Sequence, residues 1–172
     1  IATAAGKAAF WDMMGADPSL KIIAVEGEFA LTSGHSQEFK TQAVAQRVGK
    51  RLRVLMSYNN AGIDDELIGS VVKEESYDIA NQWSAYGWNV IKVDNATDYD
   101  QVVGALKAME DWDETDRRPM IVIGNTVKGF WPGAKNGMLP GGITQVVDHA
   151  SHAYGMPMNG DYFQALATSF ED

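Results

Sequence analysis

Between Ile22 and Ile63 a short apolar run, a helical stretch and a second apolar run follow one another, and both apolar runs end in polar residues. Ile22–Val25 leads into Glu26-Gly27-Glu28, and Arg53–Ser57 leads through Tyr58 into Asn59-Asn60-Ala61-Gly62. A strand, a crossover helix and a second strand make a parallel pair. The C-terminal ends of neighbouring parallel strands open onto one crevice, where a carboxylate from one end meets an amide from the other. One carboxylate, one side-chain amide and nearby backbone carbonyls are hard oxygen ligands. They suit a magnesium- or calcium-like ion that keeps coordination positions for phosphate. The first expectation is therefore a metal-assisted diphosphate site.

The rest of the chain repeats the pattern. Ala2–Met14, rich in alanine, predicts a closely packed helix that Gly15-Ala16-Asp17-Pro18 stops. Helices are predicted over Ser36–Val48, ending at Gly49, over Glu74–Tyr86 and over Asp98–Trp112, with Val102, Val103, Leu106 and Met109 inward in the last. Strands are predicted over Lys21–Val25, Leu52–Tyr58, Trp88–Val93 and Met120–Ile123. Lys128–Gly142, with five glycines and two prolines, predicts a long irregular loop. Thr144–Tyr154 and Asp161–Phe170 predict two closing helices. The alternation specifies an α/β, three-layer fold with a mainly parallel central sheet flanked by helices.

Composition narrows the function. The chain of 172 residues suffices for a single domain over 1–172. It does not begin with methionine and starts inside a predicted helix, so a piece of a larger protein is expected. No apolar run approaches the roughly 20 residues that span a bilayer. With no cysteine there is neither a disulfide frame nor a thiol nucleophile, which fits a cytoplasmic protein. The net charge of −9 argues against nucleic acid, and Lys50-Arg51 with Arg53, and Arg117-Arg118, read as solvated strand entrances. An acidic protein that binds an anionic diphosphate needs a counter-charge, which a divalent cation supplies.

Three histidines remain as chemical candidates. His149 and His152 lie three apart on a predicted helix and share a face, where they suit phosphate contact or proton transfer. His35 reads as a helix-start residue. Gly27 lets a phosphate approach its N–H, Glu26 at the strand end suits ligation, and Glu28 is placed to orient a neighbour. The chain has no Gly-x-x-x-x-Gly-Lys-Ser/Thr phosphate loop, no Gly-x-Gly-x-x-Gly turn and no Gly-x-Ser-x-Gly elbow. Nucleotide hydrolases, pyridine-nucleotide enzymes and serine hydrolases are thereby disfavoured.

Several segments together resemble the diphosphate-binding domain of transketolase and of the related first components of 2-oxo-acid dehydrogenases. Val25-Glu26-Gly27-Glu28 is similar to that family's Gly-Asp-Gly-Glu, and Asn59-Asn60 to the asparagine end of its thiamine diphosphate motif. Ser84–Ile91 resembles Glu-Ala-Tyr-Gly-Trp-His-Val-Ile. Thr115–Pro119 and Asn125–Phe130 resemble the family's Thr-Asp-Lys-Pro and Lys-Thr-Ile-x-Gly-Phe-Gly segments, and His149–His152 resembles His-Asp-Ser-His.

The resemblance implies roles. Glu26, Asn60 and the backbone carbonyl of Gly62 would ligate Mg2+ or Ca2+. Gly27, Glu28, Asn60 and His149 would line the thiamine diphosphate site. His149 and His152 would stand at the reacting centre. It also implies a fragment or subunit that lacks the N-terminal part of the domain and works with a pyrimidine-binding domain or subunit, in a homodimer or higher oligomer. The implied reaction transfers a two-carbon ketol unit between sugar phosphates. The first component of a 2-oxo-acid (pyruvate) dehydrogenase, or a non-catalytic relative that keeps the fold, are the alternatives. Glu26 and Val25 stand where the family has aspartate and glycine.

Overall fold

The structure, a computed structural model, describes residues 1–28, 30, 33–59, 78–113, 115–147 and 160–169. Four parallel strands form its sheet: β1 (Ile22–Gly27), β2 (Leu52–Tyr58), β3 (Asn89–Val93) and β4 (Met120–Asn125), in the order β1-β2-β4-β3. Register aligns Gly27 with Ser57, and Ser57 with Gly124, so the three strand ends reach one level.

Helices α1 (Ala2–Met13), α2 (Gly34–Ala45) and α3 (Ile79–Ala85) cover one face. Their Ala8, Phe39, Ala43 and Trp83 pack on Leu52, Val54, Met56, Ile121 and Ile123. Alanines at the contact side let α1 lie close to the sheet. Trp83 meets Trp88 edge-on, with ring centres 4.7 Å apart, and Phe39 tilts against Trp88 at 5.5 Å. The Trp88 indole N–H donates to the Lys40 carbonyl at 2.9 Å, which gives a buried polar tip its partner. Helix α4 (Tyr99–Glu110) covers the other face at β3 and β4 through Ala105 and Met109 on Val93, Met120 and Val122. Asp98 caps it, accepting from the N–H groups of Asp100 and Gln101.

A two-stranded antiparallel hairpin, β5 (Met138–Leu139) and β6 (Ile143–Thr144), packs with helix α5 (Gly160–Thr168) through Leu139, Ala165 and Leu166. The three-layer α/β architecture is the one expected, and β2 has the bounds read from the sequence.

Several expectations give way. The helix predicted from Thr144 does not start there, because Ile143–Thr144 is a strand and residues 145–147 are not helical. Gly141 and Gly142, at φ 78° and 76°, turn the chain back on Leu139 instead. Gly49 is not a helix C-cap. Helix α2 ends at Ala45, Arg47 takes the left-handed conformation (φ 53°), and Val48–Lys50 forms a 3-10 turn.

Arg51 and Arg53 are not solvated, with 1% and 6% exposure. The Arg51 guanidinium donates to Asp12 and to the carbonyls of Ala16, Asp17 and Leu20, closing the turn between α1 and β1. Arg118, in contrast, is surface-exposed and pairs with Asp116 at 2.7 Å. Val103 and Leu106 are 46% and 37% exposed, so only part of the predicted inward stripe of α4 is buried.

Candidate functional site

The candidate residues lie at the C-terminal ends of β1, β2 and β4, which reach one level. Glu26 and Gly27 close β1, and Glu28 follows in the turn. Pleat alternation puts Glu26 on the same face as Ile22 and Ala24, toward α1 and α2, and turns Gly27 to the other face. The Glu26 side chain keeps 26% of its surface exposed.

Glu28 is the buried acid of the triplet, only 2% exposed. Its Oε1 accepts the Asn59 backbone N–H at 3.1 Å. This bond ties the end of β1 to the end of β2 at the point where the chain leaves toward Asn60. The spacing of the two motifs in sequence thus becomes a direct contact. Glu28 thus holds the Asn59 backbone.

The next strand end is joined in the same way. Thr126 N–H donates to the Tyr58 carbonyl at 2.9 Å, and the Ser57 and Thr126 hydroxyls lie 2.8 Å apart. Ala96 N–H donates to the Asn125 carbonyl at 2.8 Å. Ser57 and Thr126 carry chemistry that the sequence reading passed over. Ser57 lies within β2 and Thr126 directly follows β4, and their pairing required the register of β2 on β4.

Among the described residues, an added Cβ at Gly27 would meet no atom within 4 Å. The half-buried Glu26 carboxylate is a hard oxygen ligand of the kind a magnesium- or calcium-like cation takes. Among the described residues no group of three or more His, Cys, Asp or Glu side chains is clustered to hold a metal. Asn60, Gly62, His149 and His152 lie outside the described residues. His35 sits in the first turn of α2, its Nδ1 3.3 Å from the Ser33 hydroxyl, as a helix-start residue should. No helix among the described residues is long and apolar enough to cross a membrane.

The model of the family "Transketolase, thiamine diphosphate binding domain" matches residues 3–150. The transketolase of Halalkalibacterium halodurans is 26% identical over 145 residues, covering 84% of this chain and 19% of that protein. A variant transketolase from Pichia stipitis, solved with fructose 6-phosphate, superposes with a TM-score of 0.68 at 22% identity, covering 99% of this chain and 23% of that one. Transketolase from Leishmania mexicana superposes with a TM-score of 0.56 at 24% identity, covering 73% and 19%. The chain spans about a fifth of the length of the relatives it matches. The match over most of its length, on a parallel sheet with a carboxylate–glycine–carboxylate triplet at a strand end, shows that the chain belongs to the transketolase thiamine diphosphate binding domain family.

Proposed function

We propose that this chain is the diphosphate- and metal-binding module of a thiamine diphosphate-dependent, transketolase-like transferase that moves a two-carbon ketol unit between sugar phosphates. The observation that carries the reading is the Glu28–Asn59 contact, which joins the two halves of the expected cofactor motif at adjacent strand ends. In this reading Glu26, the Asn60 side chain and the Gly62 carbonyl hold Mg2+ or Ca2+. The Gly27 N–H, Glu28 and His149 line the diphosphate, and His149 with His152 serves proton transfer near the reacting centre. Bound thiamine diphosphate supplies the carbanion chemistry, and the protein supplies binding and orientation. The module works with a pyrimidine-binding domain or subunit, in a cytoplasmic dimer or higher assembly.

Glu28→Ala frees the end of β2 and should weaken cofactor binding about tenfold or more, as loss of an orienting partner does at metal sites. Calorimetry of the intact assembly with thiamine diphosphate and Mg2+ is the test. Metal-dependent binding that Asn60→Ala abolishes supports the assignment. Absence of binding at millimolar cofactor rejects it, and favours a relative that keeps only the fold. Loss of binding in Asn59→Ala but not in Asn60→Ala would move the ligand by one residue.

A further inference from the structure

A row of bonds joins the ends of the four strands. The Ala96 N–H, in the loop after β3, donates to the Asn125 carbonyl at 2.8 Å. The Thr126 N–H, just past β4, donates to the Tyr58 carbonyl at 2.9 Å. The Ser57 and Thr126 hydroxyls lie 2.8 Å apart, and Glu28 Oε1 accepts the Asn59 N–H at 3.1 Å. Three consecutive residues at the exit of β2 are therefore tethered across strands. Ser57 and Tyr58 are held from the β4 side, and Asn59 from the β1 side.

The ladder of β2 stops at this exit. Its register ends at Gly27–Ser57 on one side and at Tyr58–Asn125 on the other. A strand end beyond its ladder is free to fray, so the bonds that hold it set its direction. Within the row, Ser57–Thr126 is the link between two side chains, 69 positions apart and exposed to solvent. An exposed hydroxyl pair trades its bond for water at little net cost, so it adds little to stability. Its consequence is geometric. A β-branched threonine is stiff at χ1. The Thr126 backbone is fixed by its N–H on Tyr58, and the preceding Asn125 by Ala96. The Thr126 hydroxyl is thus a set point that draws the Ser57 side chain toward β4, opposite the pull of Glu28.

We propose that Ser57 and Thr126 are positioning residues of the cofactor site: with Glu28 they clamp the last residues of β2 from both sides and fix the direction in which the chain leaves the sheet toward the metal-binding position. This inference rests on the proposed function, to which it adds two residues that serve the same site without touching the cofactor.

Calorimetry of the intact assembly with thiamine diphosphate and Mg2+ tests it in Ser57→Ala, Thr126→Val, Thr126→Ser and the double variant Ser57→Ala/Thr126→Val. Thr126→Val removes the hydroxyl and keeps the shape. It should weaken cofactor binding about tenfold, as removal of an orienting partner does at metal sites. The Mg2+ concentration at half-saturation should rise with it, while the thermal midpoint without cofactor shifts by less than about 4 °C. Thr126→Ser should restore binding. The double variant should bind as weakly as either single one, because both remove the same bond. Unchanged binding in Thr126→Val would overturn the inference. So would a loss matched by a large fall in the cofactor-free midpoint, or a loss that Thr126→Ser leaves in place. Losses that multiply in the double variant would also overturn it, as the mark of two hydroxyls that each contact the diphosphate. A parent assembly that binds no cofactor rejects the proposed function and this inference with it, whereas a binding parent with unaltered variants rejects the positioning roles alone.

Discussion

Lys40 lies inside the helix-covered core, 1% exposed, and holds no carboxylate among the described residues. Its ammonium donates to Gln37 Oε1 at 3.1 Å and Gln82 Oε1 at 2.8 Å, and stands 4.8 Å from the Trp83 ring centre. These neutral partners do not replace its lost hydration, and burial lowers its pKa from 10.5 to about 8. The unfolded chain therefore binds this proton more tightly than the folded one between those two values. The penalty is fully present below pH 8, and stability should rise as pH increases from about 8 toward 10.5. Urea midpoints should show the rise, worth up to about 3 kcal/mol from this group, and Lys40→Met should flatten it. Arg51 makes the opposite case, because its donors are satisfied. Arg51→Met removes the buried charge partner of Asp12 and a donor to three carbonyls and should cost about 3–5 kcal/mol in chemical denaturation. Arg51→Lys should recover little of it, since one ammonium cannot span the same acceptors.

At the scale of elements, the turn before β2 rests on a close approach. A Cβ on Gly49 would stand 2.1 Å from the Arg118 carbonyl oxygen, and the Gly49 N–H donates to the Arg117 carbonyl at 3.1 Å. Gly49→Ala must push the 3-10 turn off the loop that leads into β4. It should destabilise by more than about 2 kcal/mol, in the range of severe backbone strain. Gly104 is the matched control in α4, with no other element of the described residues within 4 Å of its added Cβ. Gly104→Ala should stabilise by about 0.5–1 kcal/mol, as alanine does in an open helix interior. Thermal melts of the two variants give opposite signs if the crowding at Gly49 governs the turn. Neither glycine declares its role in sequence: Gly49 reads as a cap and Gly104 as a flaw in a helix.

Across the whole molecule, the described residues form three apolar clusters of different standing. Two of them share the sheet, one on each face, and the third joins the β5–β6 hairpin to α5. The third contains three buried apolar residues, Leu139, Ala165 and Leu166, against fourteen in the first. Sub-global opening follows buried apolar contact. Backbone amides of residues 138–144 and 160–168 should therefore exchange at least tenfold faster than those of β2 and β4. Native-state hydrogen exchange read by mass spectrometry is the measurement. Uniform protection across these segments would mean that the hairpin and α5 unfold only with the sheet.

The sequence by itself determined the alternation of strands and helices, the parallel sheet and the nearness of its strand ends. Those follow from period and adjacency. A strand buried on both faces is continuously apolar, as Val54-Leu55-Met56 is, and a parallel pair must place Glu26-Gly27-Glu28 near Asn59. Family membership was legible for the same reason, through ordered local motifs. The tertiary structure decided everything that depends on which distant groups meet. Arg51 and Arg53 look like surface charge until the carbonyls that receive them are in place. Lys40 looks like a polar helix residue until α3 closes over it. Glu28 could be a solvated acid in the sequence. In the fold it is buried because the Asn59 N–H, 31 positions away, gives its carboxylate a partner. Local chemistry is written along the chain, but burial and pairing across long separations exist only once the sheet has brought those positions together.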